Sequence, residues 1–145
     1  MRYLDRAEFE KDDNFGVGAP NDAYAQYFIG NSFLKPLVDP EKASVFLMNV
    51  TFEPGCRNNW HIHHASKGGG QILICTTGEG WYQEEGKPAV ELLPGKVITI
   101  PAEVKHWHGA KKDSWFSHIA VECPGEDLEN EWCEPVSDSE YNELK

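Results

Sequence analysis

Apolar and polar positions sort this chain into short extended runs separated by turn residues. The clearest run is Val45-Phe46-Leu47-Met48-Asn49-Val50-Thr51-Phe52, closed by Glu53-Pro54-Gly55. Further runs cover Arg57 to His63, Gln71 to Thr77, Trp81 to Glu84, Val90 to Leu93, Lys96 to Ile100 and Trp115 to Glu122. Gly78-Glu79-Gly80, Glu85-Gly86-Lys87-Pro88 and Pro94-Gly95 punctuate them with the residues that tight turns require. Short strands at this spacing predict an all-β sandwich or barrel.

The ends are less regular. Residues 1–30 read as polar and irregular, with Gly16-Val17-Gly18-Ala19-Pro20 as loop material. Tyr27-Phe28-Ile29 and Phe33-Leu34-Lys35-Pro36-Leu37 suggest a first strand or a docking arm. From Gly125 the chain turns acidic, and Ser137-Asp138-Ser139-Glu140-Tyr141 has the pattern of a capped helix start. With no repeat and no linker, one domain is expected: an arm with the first strands (residues 1–43), a core (44–124) and a tail (125–145).

Composition narrows the functions. A chain of 145 residues suits one domain, and five Trp, seven Phe and five Tyr supply bulky core and pocket material. The formal net charge is −11 and no window clusters Lys or Arg, which argues against nucleic acid and anionic membranes as partners. Met1-Arg2-Tyr3-Leu4-Asp5-Arg6 lacks the apolar centre of a signal peptide, and no stretch reaches membrane-spanning length. A cytoplasmic protein is therefore expected. Cys56, Cys75, Cys123 and Cys133 show no CxxC spacing, so reduced thiols are expected, with Cys75 a small core residue.

All six histidines lie between positions 61 and 118. Side chains alternate faces along a strand, so His61 and His63 share one face while Trp60 and Ile62 take the other. The same alternation pairs His106 with His108 and sets Trp107 opposite. Phe116, His118, Ala120 and Glu122 form a third row. Two imidazoles at i and i+2, joined by one from another strand, make a chelate suited to a divalent transition metal. His108 and His118 also face inward and are candidates for acid–base work, because a neutral imidazole exchanges protons near neutral pH. His64 faces away and reads as a loop residue. Phe46, Met48, Val50 and Phe52 form an apolar row that either lines a pocket or packs the core.

These residues carry a family resemblance. Gly55, five residues, His61-Ile62-His63, then Gln71, six residues and Gly78 resemble the first cupin motif. Gly95, five residues, Pro101 and then His106 resemble the second. The resemblance implies a jelly-roll barrel, the double-stranded β-helix, holding one divalent metal on His61, His63 and His106. Three positions depart from the motif. Gln71 replaces a Glu ligand after the longer Ser66-Lys67-Gly68-Gly69-Gly70 insertion, while Glu103 and Ala110 stand where Gly and Asn are usual, as local turn adjustments. Trp60-His61-Ile62-His63, Gly70-Gln71-Ile72-Leu73-Ile74, Gly78-Glu79-Gly80-Trp81 and Lys105-His106-Trp107-His108-Gly109-Ala110 are similar to small cupins that include bacterial hydroxynitrile lyases. Those are related to cupins near carboxymuconolactone decarboxylases. In that subgroup a Gln binds metal, which makes Gln71 the fourth ligand by resemblance.

Three neutral imidazoles and one neutral amide would leave the charge of the ion uncompensated, and so strengthen it as a Lewis acid. Imidazole with hard oxygen suits manganese, iron, cobalt, nickel or zinc. The leading expectation is a metal-dependent enzyme, a lyase or a decarboxylase-like cupin, acting on a small polar molecule. The rivals are a non-catalytic metal- and metabolite-binding cupin and a metal-dependent dioxygenase. Apolar residues within 23–37 could cover their own barrel or swap onto a neighbour, and cupin resemblance favours a homodimer.

Overall fold

In the computed structural model, which describes all 145 residues, the order begins α1 (Arg6–Asp12), β1 (Ala19–Pro20), β2 (Phe28–Ile29), β3 (Ser32–Pro36) and β4 (Phe46–Phe52). It continues through β5 (Arg57–Asn58), β6 (His61–His64), β7 (Lys67–Gly68), β8 (Gln71–Gly78), β9 (Gly80–Glu84) and β10 (Val90–Leu92). β11 (Val97–Ile100), β12 (His106–Ala110), β13 (Phe116–Glu122), β14 (Gly125–Glu126), β15 (Glu129–Trp132) and α2 (Asp138–Asn142) complete it. No helix is long and apolar enough to cross a membrane.

One sheet runs β1-β3-β4-β13-β8-β11, and the other runs β10-β9-β12-β5-β2, with β6 joined to β12 and β15 joined to β6. They form the all-β barrel that the strand spacing predicts. Antiparallel register sets its two ends apart. Phe52 pairs with Phe116, and Phe46 with Glu122, which also faces Gln71 across the other edge of β13. Near the Phe52 end, the inward residues Phe52, Leu92 and Phe116 are fully buried. Burying each such side chain contributes roughly 1.5–3 kcal/mol relative to leaving it exposed. The histidines lie toward the other end. The turn between β8 and β9 needs glycine, because Gly78 has φ +77° and a Cβ there would sit 1.8 Å from the Trp115 carbonyl oxygen.

Residues turned outward just before β6 and along β9 and β12 build a second core. Trp60, Trp81 and Trp107 pack with Val136 and Tyr141 beneath α2. Ser137 caps α2 with the capping box expected from the sequence, Glu140 answering at the third helical position. Arg57 places its guanidinium 4.2 Å from the Tyr141 ring centre, and the Tyr141 hydroxyl donates to the Ala110 carbonyl at 2.6 Å.

The termini differ from expectation. Residues 1–30 contain α1, capped by Asp5, whose side chain accepts from the Glu8 amide at 3.0 Å. Phe9 is its only buried residue, so no helical period was visible. The acidic tail carries β15, which pairs with β6. The arm lies on its own barrel: β3 pairs with β4, and β2 with β5. Cys75 is buried in the core as expected, and all four thiols are free.

Trp107 is 0 % exposed, so Trp107→Ala is expected to cost about 3–5 kcal/mol in urea unfolding. Tyr141→Phe removes one buried hydrogen bond and is expected to cost about 0.5–1.5 kcal/mol. Equal, small losses in both variants would show that the outer tryptophan cluster does not stabilise the barrel.

Candidate metal centre

β6 and β12 pair with His61 opposite His106, and alternation turns His61, His63 and His106 to one side. One ring nitrogen from each lies within 4.8 Å of the others. Each Nδ1 meets an oxygen at 2.8 Å: the Asn59 carbonyl for His61, the Asn130 side-chain oxygen for His63 and the Val104 carbonyl for His106. A carbonyl oxygen only accepts, so each Nδ1 carries the hydrogen and each Nε2 keeps its lone pair. The Nε2 atoms of His63 and His106 are buried without any hydrogen-bond partner. Burial, with His106 and His63 nearby, holds the His61 pKa well below its ordinary value, and burial pushes His106 down to about 4. Three imidazoles with converging Nε2 atoms fit a divalent metal, which would satisfy atoms otherwise left unpaired at a cost.

Gln71 opens β8 and turns inward beside this cluster. Its Nε2 donates to Glu122 Oε1 at 2.6 Å, while its own Oε1 is buried and unpartnered. Gln71, His61, His63, His108 and His118 all border a cavity of about 410 Å³, whereas His106 is fully buried behind them. Phe46, Met48 and Val50 line its apolar side, and Phe52, fourth in that row, belongs to the core instead.

His108 and His118 meet across the barrel, with His118 Nε2 3.1 Å from His108 Nδ1. A register shift between Ser117 and His118 on β13 accompanies this placement. Burial, then the neighbouring His118 and His61, lowers the His108 pKa well below its usual value; burial lowers His118 to about 3. Asn58 steadies His108. Its Oδ1 accepts from the His108 amide at 3.0 Å, which leaves its NH₂ facing the imidazole at 3.3 Å and 3.4 Å from the two ring nitrogens.

The tail strand is the component that sequence reasoning missed. Asn130, Glu131 and Trp132 touch His63, His64 and His61 respectively. The Trp132 ring centre lies 4.8 Å from that of His61, and Tyr27 stacks on its other side at 4.5 Å with an interplanar angle of 2°. His64 closes β6 and is not a loop residue; it faces away, as expected, and bridges Glu103 and Glu131. Those two carboxylates, Glu131 foremost, raise its pKa. Glu103 adopts φ 72°, which disfavours a side chain, but its carboxylate accepts from the Ala65 amide at 2.9 Å as well as from His64. Ala110 is no turn adjustment; it is buried within β12.

The comparisons agree with this architecture. The chain is 38% identical over 127 residues to the (R)-mandelonitrile lyase of Granulicella tundricola, covering 87% of this chain and 94% of that one. A cupin-like protein from Thermotoga maritima has 40% identity and a TM-score of 0.78, over 91% of this chain and 96% of that one. A cupin 2 conserved barrel domain protein from Rhodopseudomonas palustris shares the fold at 15% identity and a TM-score of 0.66, over 99% of this chain and 91% of that one. Residues 48–121 match the cupin domain family itself. From the histidine-bearing strands to the whole barrel, this chain belongs to the cupin family.

Proposed function

We propose that this cupin holds one divalent transition metal on His61, His63, His106 and Gln71. With His108 and His118 it cleaves small cyanohydrins into an aldehyde and hydrogen cyanide. The observation that carries this reading is the second imidazole pair, hydrogen-bonded and open to the same cavity as the three-histidine cluster. Holding a metal requires no such pair, so a purely metal- and metabolite-binding cupin leaves it unexplained. The likeness to a protein named as a mandelonitrile lyase supports the reaction class.

Imidazole nitrogens and an amide oxygen suit manganese, iron, cobalt, nickel or zinc. When bound, such an ion supplies Lewis acidity to the substrate oxygen. Burial keeps His108 and His118 neutral, so an imidazole lone pair is free to take the hydroxyl proton, and the same burial disfavours the imidazolium and readies it to give the proton up again. The bond from the hydroxyl-bearing carbon to the nitrile breaks, its electron pair leaves with cyanide, and the hydroxyl oxygen becomes the aldehyde oxygen. The proton then passes from the histidine pair to cyanide. Phe46, Met48 and Val50 receive the organic portion and keep water from that side. No Lys or Arg lines the cavity, while Glu122 and Glu129 do. An uncharged cyanohydrin therefore fits better than the carboxylate of a decarboxylase substrate.

Two measurements test the proposal. Purified protein is expected to carry close to one divalent ion per chain and His106→Ala to lose most of it; full retention in the variant would remove His106 from the ligand set. In mandelonitrile cleavage, His118→Ala is expected to lower kcat by about 10²–10⁴-fold while keeping its metal. Unchanged turnover would contradict the acid–base role, and a metal-loaded parent without turnover would favour the binding cupin. Oxygen uptake without cyanide release would instead favour a dioxygenase.

A further inference from the structure

Gln71 and Glu122 face each other across β8 and β13. Glu122 accepts the Gln71 amide NH₂ at 2.6 Å, and a carboxylate can only accept. That bond settles which way the amide points: nitrogen toward Glu122, oxygen away from it. The oxygen is the atom left buried and unpartnered, on a residue that shares the cavity wall with His61 and His63. No Lys or Arg lines this cavity to engage the carboxylate. Around a divalent ion, three imidazoles and an amide contribute no negative charge, and an uncompensated charge is costly away from water.

We propose that Glu122 acts through Gln71 as the positioning and charge-compensating residue of the metal site. This rests on the metal centre proposed above. A charge-assisted hydrogen bond from the amide nitrogen draws electron density toward the amide oxygen, which makes that oxygen a better donor to a cation. The carboxylate that a common cupin motif places directly on the metal is thereby moved one hydrogen bond back. The ion receives an oriented oxygen and a nearby negative charge, while its immediate donors stay neutral.

The test is titration of manganese(II) or zinc(II) into metal-stripped protein. Glu122→Gln keeps an acceptor for Gln71 but removes the charge, and is expected to weaken binding by about 10–100-fold. Combining Gln71→Glu with Glu122→Gln returns the charge to the ligand position and is expected to restore the affinity of the parent. Glu122→Asp, which keeps the charge at a shorter reach, is expected to bind more tightly than Glu122→Gln, and thermal melting of each metal-free variant confirms that it folds. Glu122→Gln binding as tightly as the parent, or more tightly than Glu122→Asp, would overturn the proposal while leaving the histidine cluster intact. A parent that takes up neither ion would overturn the metal centre itself and this inference with it.

Discussion

Which nitrogen of each imidazole carries the hydrogen decides what the histidine cluster can do. Three bonds of 2.8 Å, from the Nδ1 atoms of His61, His63 and His106, make that choice. Two acceptors are backbone carbonyls two residues upstream in the same chain, at Asn59 and Val104, so the local path of β6 and β12 dictates the tautomer. The third, Asn130, arrives on β15 and links the C-terminal segment to the centre. Without these acceptors the rings could turn or exchange tautomers, and the lone pairs would not converge.

The barrel supports this arrangement by giving each face and end a separate task. Buried apolar residues near Phe52 and Phe116 close one end, and outward tryptophans at the entry to β6 and on β9 and β12 anchor those strands against α2. The histidine-bearing faces are then held between two packed layers. Polar side chains buried in such a setting must be paired, coordinated or functional. His63 Nε2, His106 Nε2, Gln71 Oε1 and His118 Nδ1 are the inward atoms without partners, and all belong to the centre or to the histidine pair beside it.

Much of this was legible in the sequence because a strand has a period of two. His61 and His63 with Trp60 and Ile62, and His106 and His108 with Trp107, announced their faces directly, and Gly and Pro marked the turns. What could not be read depends on contacts between distant segments. Three of the four residues of β15 are exposed, so its sequence shows only an acidic tail; its importance lies in one hydrogen bond and one ring contact. The Gln71–Glu122 bond spans 51 positions and follows from strand register. The His108–His118 contact likewise depends on register, including a shift that no local pattern displays.

The most direct test is nitrogen-15 NMR of the histidine side chains in metal-free protein, followed by addition of one equivalent of zinc(II). His61, His63 and His106 are each expected to carry a hydrogen on Nδ1, and zinc is expected to shift all three Nε2 resonances together. Hydrogen on Nε2 in any of the three, or Nε2 resonances that ignore the metal, would contradict the account.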